Sequence, residues 1–90
     1  MVKKSFRVVS ETGIHARPAT SLVNVGMIYE SSITLTALGK TVDFKSIMGV
    51  MALGIYPGTI IEIKCDGKDE IEAMDAITDT LVKQGLGKEL

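Results

Sequence analysis

Four stretches of this chain alternate apolar and polar side chains, and three others repeat apolar residues every three or four positions. The two periods belong to different backbones, so each stretch is confined to one kind of element. Lys4 to Ser10 sets Phe6 and Val8 against Ser5 and Arg7. Ser32 to Ala37 sets Ile33, Leu35 and Ala37 against Ser32, Thr34 and Thr36. Lys40 to Phe44 carries Val42 and Phe44, and Thr59 to Cys65 carries Ile61, Ile63 and Cys65 opposite Glu62 and Lys64. Helical spacing appears in Ala16 to about Met27 (Ala19, Leu22, Val23, Gly26), in Ile47 to Leu53, and after Asp69 (Ile71, Met74, Ile77 or Thr78, Leu81). The predicted order is β-α-β-β-α-β-α. Strands of period two have one dry face and one wet face, so the helices are expected on a single side of one sheet.

The punctuation agrees with this order. Leu38-Gly39 reads as a two-residue hairpin turn, although leucine is a poor residue for positive φ. Tyr56-Pro57-Gly58-Thr59 has Pro and Gly where a type II turn wants them. Gly54 and Gly85 stand where helices end. Asp66-Gly67 closes the last strand, and Asp69 with Glu72 predicts a capping box. Ninety residues without a repeat or linker make one small domain, residues 1–90.

Composition removes several function classes. The longest apolar run is far too short to span a bilayer. Met1-Val2-Lys3-Lys4-Ser5-Phe6 has a basic start without an apolar h-region, so no signal peptide is expected. Cys65 is the only cysteine, which excludes an internal disulfide and suits a reducing cytoplasm. The net charge of −1 argues against a dedicated nucleic-acid binder. The aromatics Phe6, Tyr29, Phe44 and Tyr56 are too few and too scattered to stack bases. Charge is uneven: residues 1–61 hold six basic and three acidic side chains, and residues 62–90 hold four and eight. The first part is mildly basic, which fits an approaching phosphate or acidic partner.

That part contains the only histidine, in Gly13-Ile14-His15-Ala16-Arg17-Pro18-Ala19. A lone histidine is usually structural, but a core histidine needs neither a glycine before it nor an arginine after it at a helix start. The first amides of a helix lack intrahelical acceptors and carry partial positive charge, so an anion is stabilised there. Arg17 adds a permanent cation with a fork of donors shaped for phosphate oxygens. Pro18 is tolerated because the first turn has no use for its missing N–H. A neutral imidazole can take a phosphoryl group without a separate base. There is no second histidine, metal-ligand cluster or paired-carboxylate site, so neither a metal nor a cofactor is expected. A carrier phosphorylated by another protein needs none of these.

Ser46 precedes a second helix and reads first as its N-cap. A phosphate there would add about −1.5 to −2 charges at the helix N-terminus, with Lys45 as a neighbouring cation. Ile47-Met48-Gly49-Val50-Met51-Ala52-Leu53 is apolar all round, and a two-turn helix on a small domain cannot bury every face. Val50 and Leu53 are expected to face the core, with Ile47, Met48 and Met51 outward as an adaptable docking patch. Cys65 is expected as a small core residue.

The segments Gly13-Ile14-His15-Ala16-Arg17-Pro18-Ala19-Thr20 and Lys45-Ser46-Ile47-Met48-Gly49-Val50-Met51-Ala52-Leu53-Gly54 closely resemble HPr, the histidine-containing phosphocarrier family of the bacterial sugar phosphotransferase system, in its low-GC Gram-positive form. The likeness covers essentially the whole chain. It implies an α+β open-faced two-layer sandwich, with three helices on one face of a four-stranded antiparallel sheet. It implies a monomeric cytoplasmic carrier rather than an independent enzyme. His15 would take a phosphoryl group on Nδ1 from phosphorylated enzyme I and pass it to enzyme IIA domains of sugar transporters. Arg17 would contact the phosphate, with Thr12 and the amides from Ala16 onward nearby. Ser46 would be the site of the ATP-dependent HPr kinase/phosphorylase, and the modified protein would act with a catabolite-control transcription factor. Ile47, Met48 and Met51, with Thr20 and Asn24, match the family's docking surface. Leu38-Gly39, Tyr56-Pro57 and Met27-Ile28 depart from its usual residues and bear on partner preference. Two other readings are a regulatory binding module working through Ser46 alone, which the presence of His15 disfavours, and a small RNA-binding α/β domain, which the acidic balance disfavours.

Overall fold

The computed structural model describes residues 1–90. The elements are β1 (Val2–Val8), α1 (Ala16–Met27), β2 (Ser32–Ala37), β3 (Lys40–Asp43), α2 (Ile47–Ala52), β4 (Ile60–Asp66), α3 (Glu70–Lys83) and β5 (Gly87–Glu89). All strand pairs are antiparallel, in the order β3-β2-β4-β1-β5. Register keeps the dry rows together: Phe6 lies opposite Ile61, Ile33 opposite Cys65 and Leu35 opposite Ile63. Those residues bury against Leu22, Val23, Val50, Met74, Ile77 and Leu81 of the helices in one hydrophobic core.

The sheet has five strands, not four. Gly85, at φ 65°, ends the last helix and turns the chain back. Leu86 is buried, and β5 then pairs with Phe6–Val8 on the free edge of β1. This strand is invisible to a period-two reading because it is three residues long and its inward position is Gly87. The first strand also begins at Val2 rather than Lys4, since Val2 and Lys3 pair with Cys65 and Lys64.

Two expectations about α3 fail. Ile71 is exposed; the buried arc is Ala73, Met74, Ile77 and Leu81, and residue 71 lies roughly 100° around the helix from its centre. Asp69 occupies the N-cap but makes no capping bond. Its carboxylate instead accepts from the Glu30 amide at 2.9 Å, the Ser31 amide at 3.0 Å and the Ser31 hydroxyl at 2.5 Å. Led by the Ser31 hydroxyl and the Glu30 amide, these bonds hold the Asp69 carboxyl below its ordinary range. They fasten the loop after α1 to the start of α3.

Both turns form as expected. Leu38 and Gly39 take φ 54° and 77° between the paired residues Ala37 and Lys40. Gly58 takes φ 89°, and the Thr59 amide donates to the Tyr56 carbonyl at 3.2 Å. Cys65 is fully buried, and burial pushes its thiol up to about 11, so it carries no thiolate near neutral pH. No helix is long and apolar enough to cross a membrane.

Candidate functional site

The loop before α1 is shaped by its glycine. Gly13 sits at φ 68°, where a side chain is strained, and a Cβ there would collide with the Ile55 carbonyl oxygen. The Gly13 amide donates to the Ser10 carbonyl at 3.0 Å, and the Ile14 amide to the Ile55 carbonyl at 3.1 Å. Ile14 is buried. The loop is thus anchored on Ile55–Tyr56, and the next residue, His15, is carried out to solvent. The contribution of residues 55–56 has no signal in the sequence near His15.

His15 is the N-cap residue of α1, in extended backbone, and its side chain makes no capping bond. Its carbonyl accepts from the Ala19 amide at 3.0 Å, starting the helix. The Ala16 and Arg17 amides have no acceptor within the protein, and Pro18 has no amide hydrogen. Two donors therefore stand open beside an exposed imidazole, at the positive end of a twelve-residue helix. Ala16 and Arg17 are exposed, and the guanidinium forms no ion pair. Thr12 is exposed, with Oγ1 3.3 Å from Ser10 Oγ. Donors and a cation beside a nucleophilic ring can receive a tetrahedral dianion without a metal, and no cluster of possible metal-ligating side chains exists in the structure.

Ser46 is the N-cap of α2, and its hydroxyl accepts from the Gly49 amide at 3.0 Å. Lys45 is not directed at this hydroxyl: its ammonium donates to the Tyr29 carbonyl at 2.7 Å, just past the end of α1. A Cβ on Gly26 would press into the Phe44 ring. The start of α2 therefore meets the end of α1, and the chain after α2 meets the loop before α1. The two helices run side by side in opposite senses, with His15 and Ser46 at different ends of the pair.

Val50 and Leu53 are buried; Ile47 and Met51 are about two-fifths exposed and Met48 is 77% exposed. Thr20 and Asn24 lie on the exposed side of α1, where the Thr20 hydroxyl donates to the Ala16 carbonyl at 2.8 Å. The one cavity, about 260 Å³, is polar and lies away from His15, between Glu30–Thr34 and Asp43–Lys45. His15 lines no cavity, so its ring is approached from open solvent.

The family model described as the PTS HPr component phosphorylation site matches residues 2–83. Solved structures agree. A histidine-containing phosphocarrier protein from a Mycoplasma is 40% identical, covering 94% of this chain and 97% of that one, with a TM-score of 0.92. A phosphocarrier protein HPr from Bacillus anthracis is 38% identical, covering 88% and 94%, with a TM-score of 0.81. An HPr dimer from Thermoanaerobacter tengcongensis is 36% identical, covering 87% and 90%, with a TM-score of 0.75.

Proposed function

The chain belongs to the HPr family of phosphocarrier proteins, which are not independent enzymes, and on that premise we propose that His15 is its phosphoryl acceptor. The observation that carries this reading is the exposed imidazole beside two open amides and an unpaired guanidinium. Nδ1 of His15 attacks the phosphorus of a phosphohistidine on enzyme I. A new N–P bond forms as the donor's N–P bond breaks, and the donor imidazole keeps that bond's electron pair. The phosphoryl oxygens are received by the Ala16 and Arg17 amides, the Arg17 guanidinium and the Thr12 hydroxyl. The reverse geometry passes the group to the histidine of an enzyme IIA domain. Because imidazole is a good leaving group, the carrier stores the group without trapping it.

The docking surface of this reading is Thr20 and Asn24 on α1 with Ile47, Met48 and Met51 on α2. Ser46 is its regulatory site, phosphorylated by an HPr kinase/phosphorylase and then recognised by a catabolite-control transcription factor. The carrier works as a single unit over residues 1–90, in the cytoplasm. It is a monomer in this reading, and the dimeric relative makes sedimentation at working concentration the check.

The test is incubation with enzyme I and phosphoenolpyruvate, followed by mass measurement and acid treatment. One acid-labile phosphate is expected, absent in His15→Ala. An acid-stable adduct, or one that persists in that variant, defeats the assignment.

A further inference from the structure

The sheet ends on β3 at one side and on β5 at the other. β5 is 3 residues long, and it is all that covers the outer edge of β1, which has 7. A bare edge of that length is a template for another strand, and proteins shield such edges. The shield here is slight. β5 pairs with Phe6, Arg7 and Val8, flanked by bonds from the Val9 amide to the Leu86 carbonyl at 2.9 Å and from the Leu90 amide to the Ser5 carbonyl at 3.0 Å. Leu86 is its one buried side chain: Gly87 brings none to the core, and Lys88, Glu89 and Leu90 are exposed. The Lys4–Glu89 ion pair, at 3.4 Å, is partly open to solvent. The edge beneath has a definite phase. Val9 donates to β5 and Ser5 accepts from it, so Lys3, Ser5, Arg7 and Val9 turn their backbone groups outward, while Phe6 and Val8 turn theirs to β4. A second copy of β1 pairing antiparallel about a two-fold axis presents the same outward groups. That phase leaves three long registers. Ser5 opposite Ser5 sets Lys3 against Arg7, and Arg7 opposite Arg7 sets two guanidiniums together. Phe6 opposite Phe6 sets Ser5 against Arg7, Lys4 against Val8 and Lys3 against Val9, with no two cations directly opposite. This register runs from Lys3 to Val9, a longer ladder than β5 supplies.

We propose that the outer edge of β1 is a strand-pairing site for a second copy of this chain, in the register that sets Phe6 opposite Phe6, and that β5 holds it closed. With β5 in place the chain is a monomer. When Gly87–Leu90 lifts, turning at Gly85, two copies join into one continuous sheet with their helices on the same side. A short edge strand with one buried anchor opens at the low end of the range of local unfolding free energies. The surface lies on the sheet edge and uses neither His15 nor the residues of α1 and α2 named above.

The experiment is sedimentation of the full chain across a dilution series, with β5 released in place. Lys88→Pro removes the amide that faces Arg7, and Leu86→Ser removes the buried anchor; a cooperative melt shows that each variant is folded. Release should lower the dimer dissociation constant at least tenfold relative to the unaltered chain. Exchange of the Val9 amide should quicken in dilute solution and slow again as the dimer forms. Ser5 then fixes the register. In the released background Ser5→Glu faces Arg7 of the other copy twice and should tighten the dimer about fivefold, and Ser5→Lys should weaken it by a similar factor. Within one copy Ser5 lies opposite Glu62, so with β5 intact the same changes should move the melting temperature the other way, down for Ser5→Glu and up for Ser5→Lys. Folded release variants that stay monomeric overturn the proposal. So does a dimer that Ser5→Glu and Ser5→Lys shift in the same direction or leave unmoved, because another surface then joins the copies.

Discussion

Helices α1 and α2 begin in opposite ways. At α2 the Ser46 hydroxyl accepts from the amide of the third helical residue, Gly49, and only the Ile47 and Met48 amides are left without an acceptor. At α1 the N-cap is an imidazole with no capping bond, and the third residue is Pro18, which has no amide hydrogen to cap. Proline removes the donor that a cap would satisfy, and the two amides that remain are turned to solvent. Both helices leave their first two amides open, and they differ at the third, which a serine hydroxyl meets at α2 and proline removes at α1. Helix α3 is a third solution: its N-cap carboxylate is used to fasten the Glu30–Ser31 loop.

The contrast can be broken most severely at Gly13. Gly13→Ala puts a side chain at φ 68° and against the Ile55 carbonyl. The left-handed conformation alone costs ~1–2 kcal/mol, so a total loss above about 2 kcal/mol is expected in urea unfolding, with slower phosphoryl transfer. A loss below about 0.5 kcal/mol in urea unfolding would mean that the loop yields freely and does not fix His15.

The α3 end is next, and it depends on pH. The Asp69 carboxyl is held below its ordinary range by Ser31 and Glu30, so the folded state binds fewer protons than the unfolded one as pH falls. Its contribution is complete above the ~3.9 of an unfolded aspartate and is lost as pH drops through the lower folded value. Asp69→Ala should lower stability at pH 7 and flatten the acid limb of the stability curve. An unaltered acid limb would show that these bonds do not favour the ionised form.

Removing the cap at α2 is milder. Ser46→Ala should cost about 1 kcal/mol, or roughly 4–8 °C in melting temperature for a domain this small, leaving His15 phosphorylation intact. The smallest effect comes from making α1 resemble α2. His15→Ser can reach only the Arg17 amide, because Pro18 offers none, so a gain of about 0.5 kcal/mol at most is expected, together with complete loss of the acid-labile phosphate. A gain as large as the Ser46 cap provides would contradict the role given to Pro18.

Much of this was legible in residue order. Alternation at Ser32–Ala37 and Thr59–Cys65 assigned strands and their dry faces because that signal is local and repeated. Pro57-Gly58 and Leu38-Gly39 marked turns through backbone preferences that need no distant partner. The Gly13–Ala19 motif marked a helix start with an exposed nucleophile for the same reason. Other features were hidden because long-range contacts choose among locally acceptable states. The strand at Gly87–Glu89 exists because β1 has a free edge, and its inward glycine leaves no hydrophobic signature. Asp69 and Glu72 have capping-box spacing, yet the Ser31 loop competes for the carboxylate and wins with three bonds. Ile71 has an apolar side chain on a helix but lies off the arc facing the sheet.

The chain's order of residues alone determined seven of its eight elements, most of its buried face and the one histidine proposed as phosphoryl acceptor, since periodicity, turn preference and nucleophilicity reside in a few adjacent side chains. Tertiary structure decided the fifth strand, the anchoring of Gly13 on Ile55, the diversion of Lys45 to Tyr29 and the separation of His15 from Ser46. Each depends on which distant backbone groups arrive within hydrogen-bond reach, and short-range patterning holds no record of that.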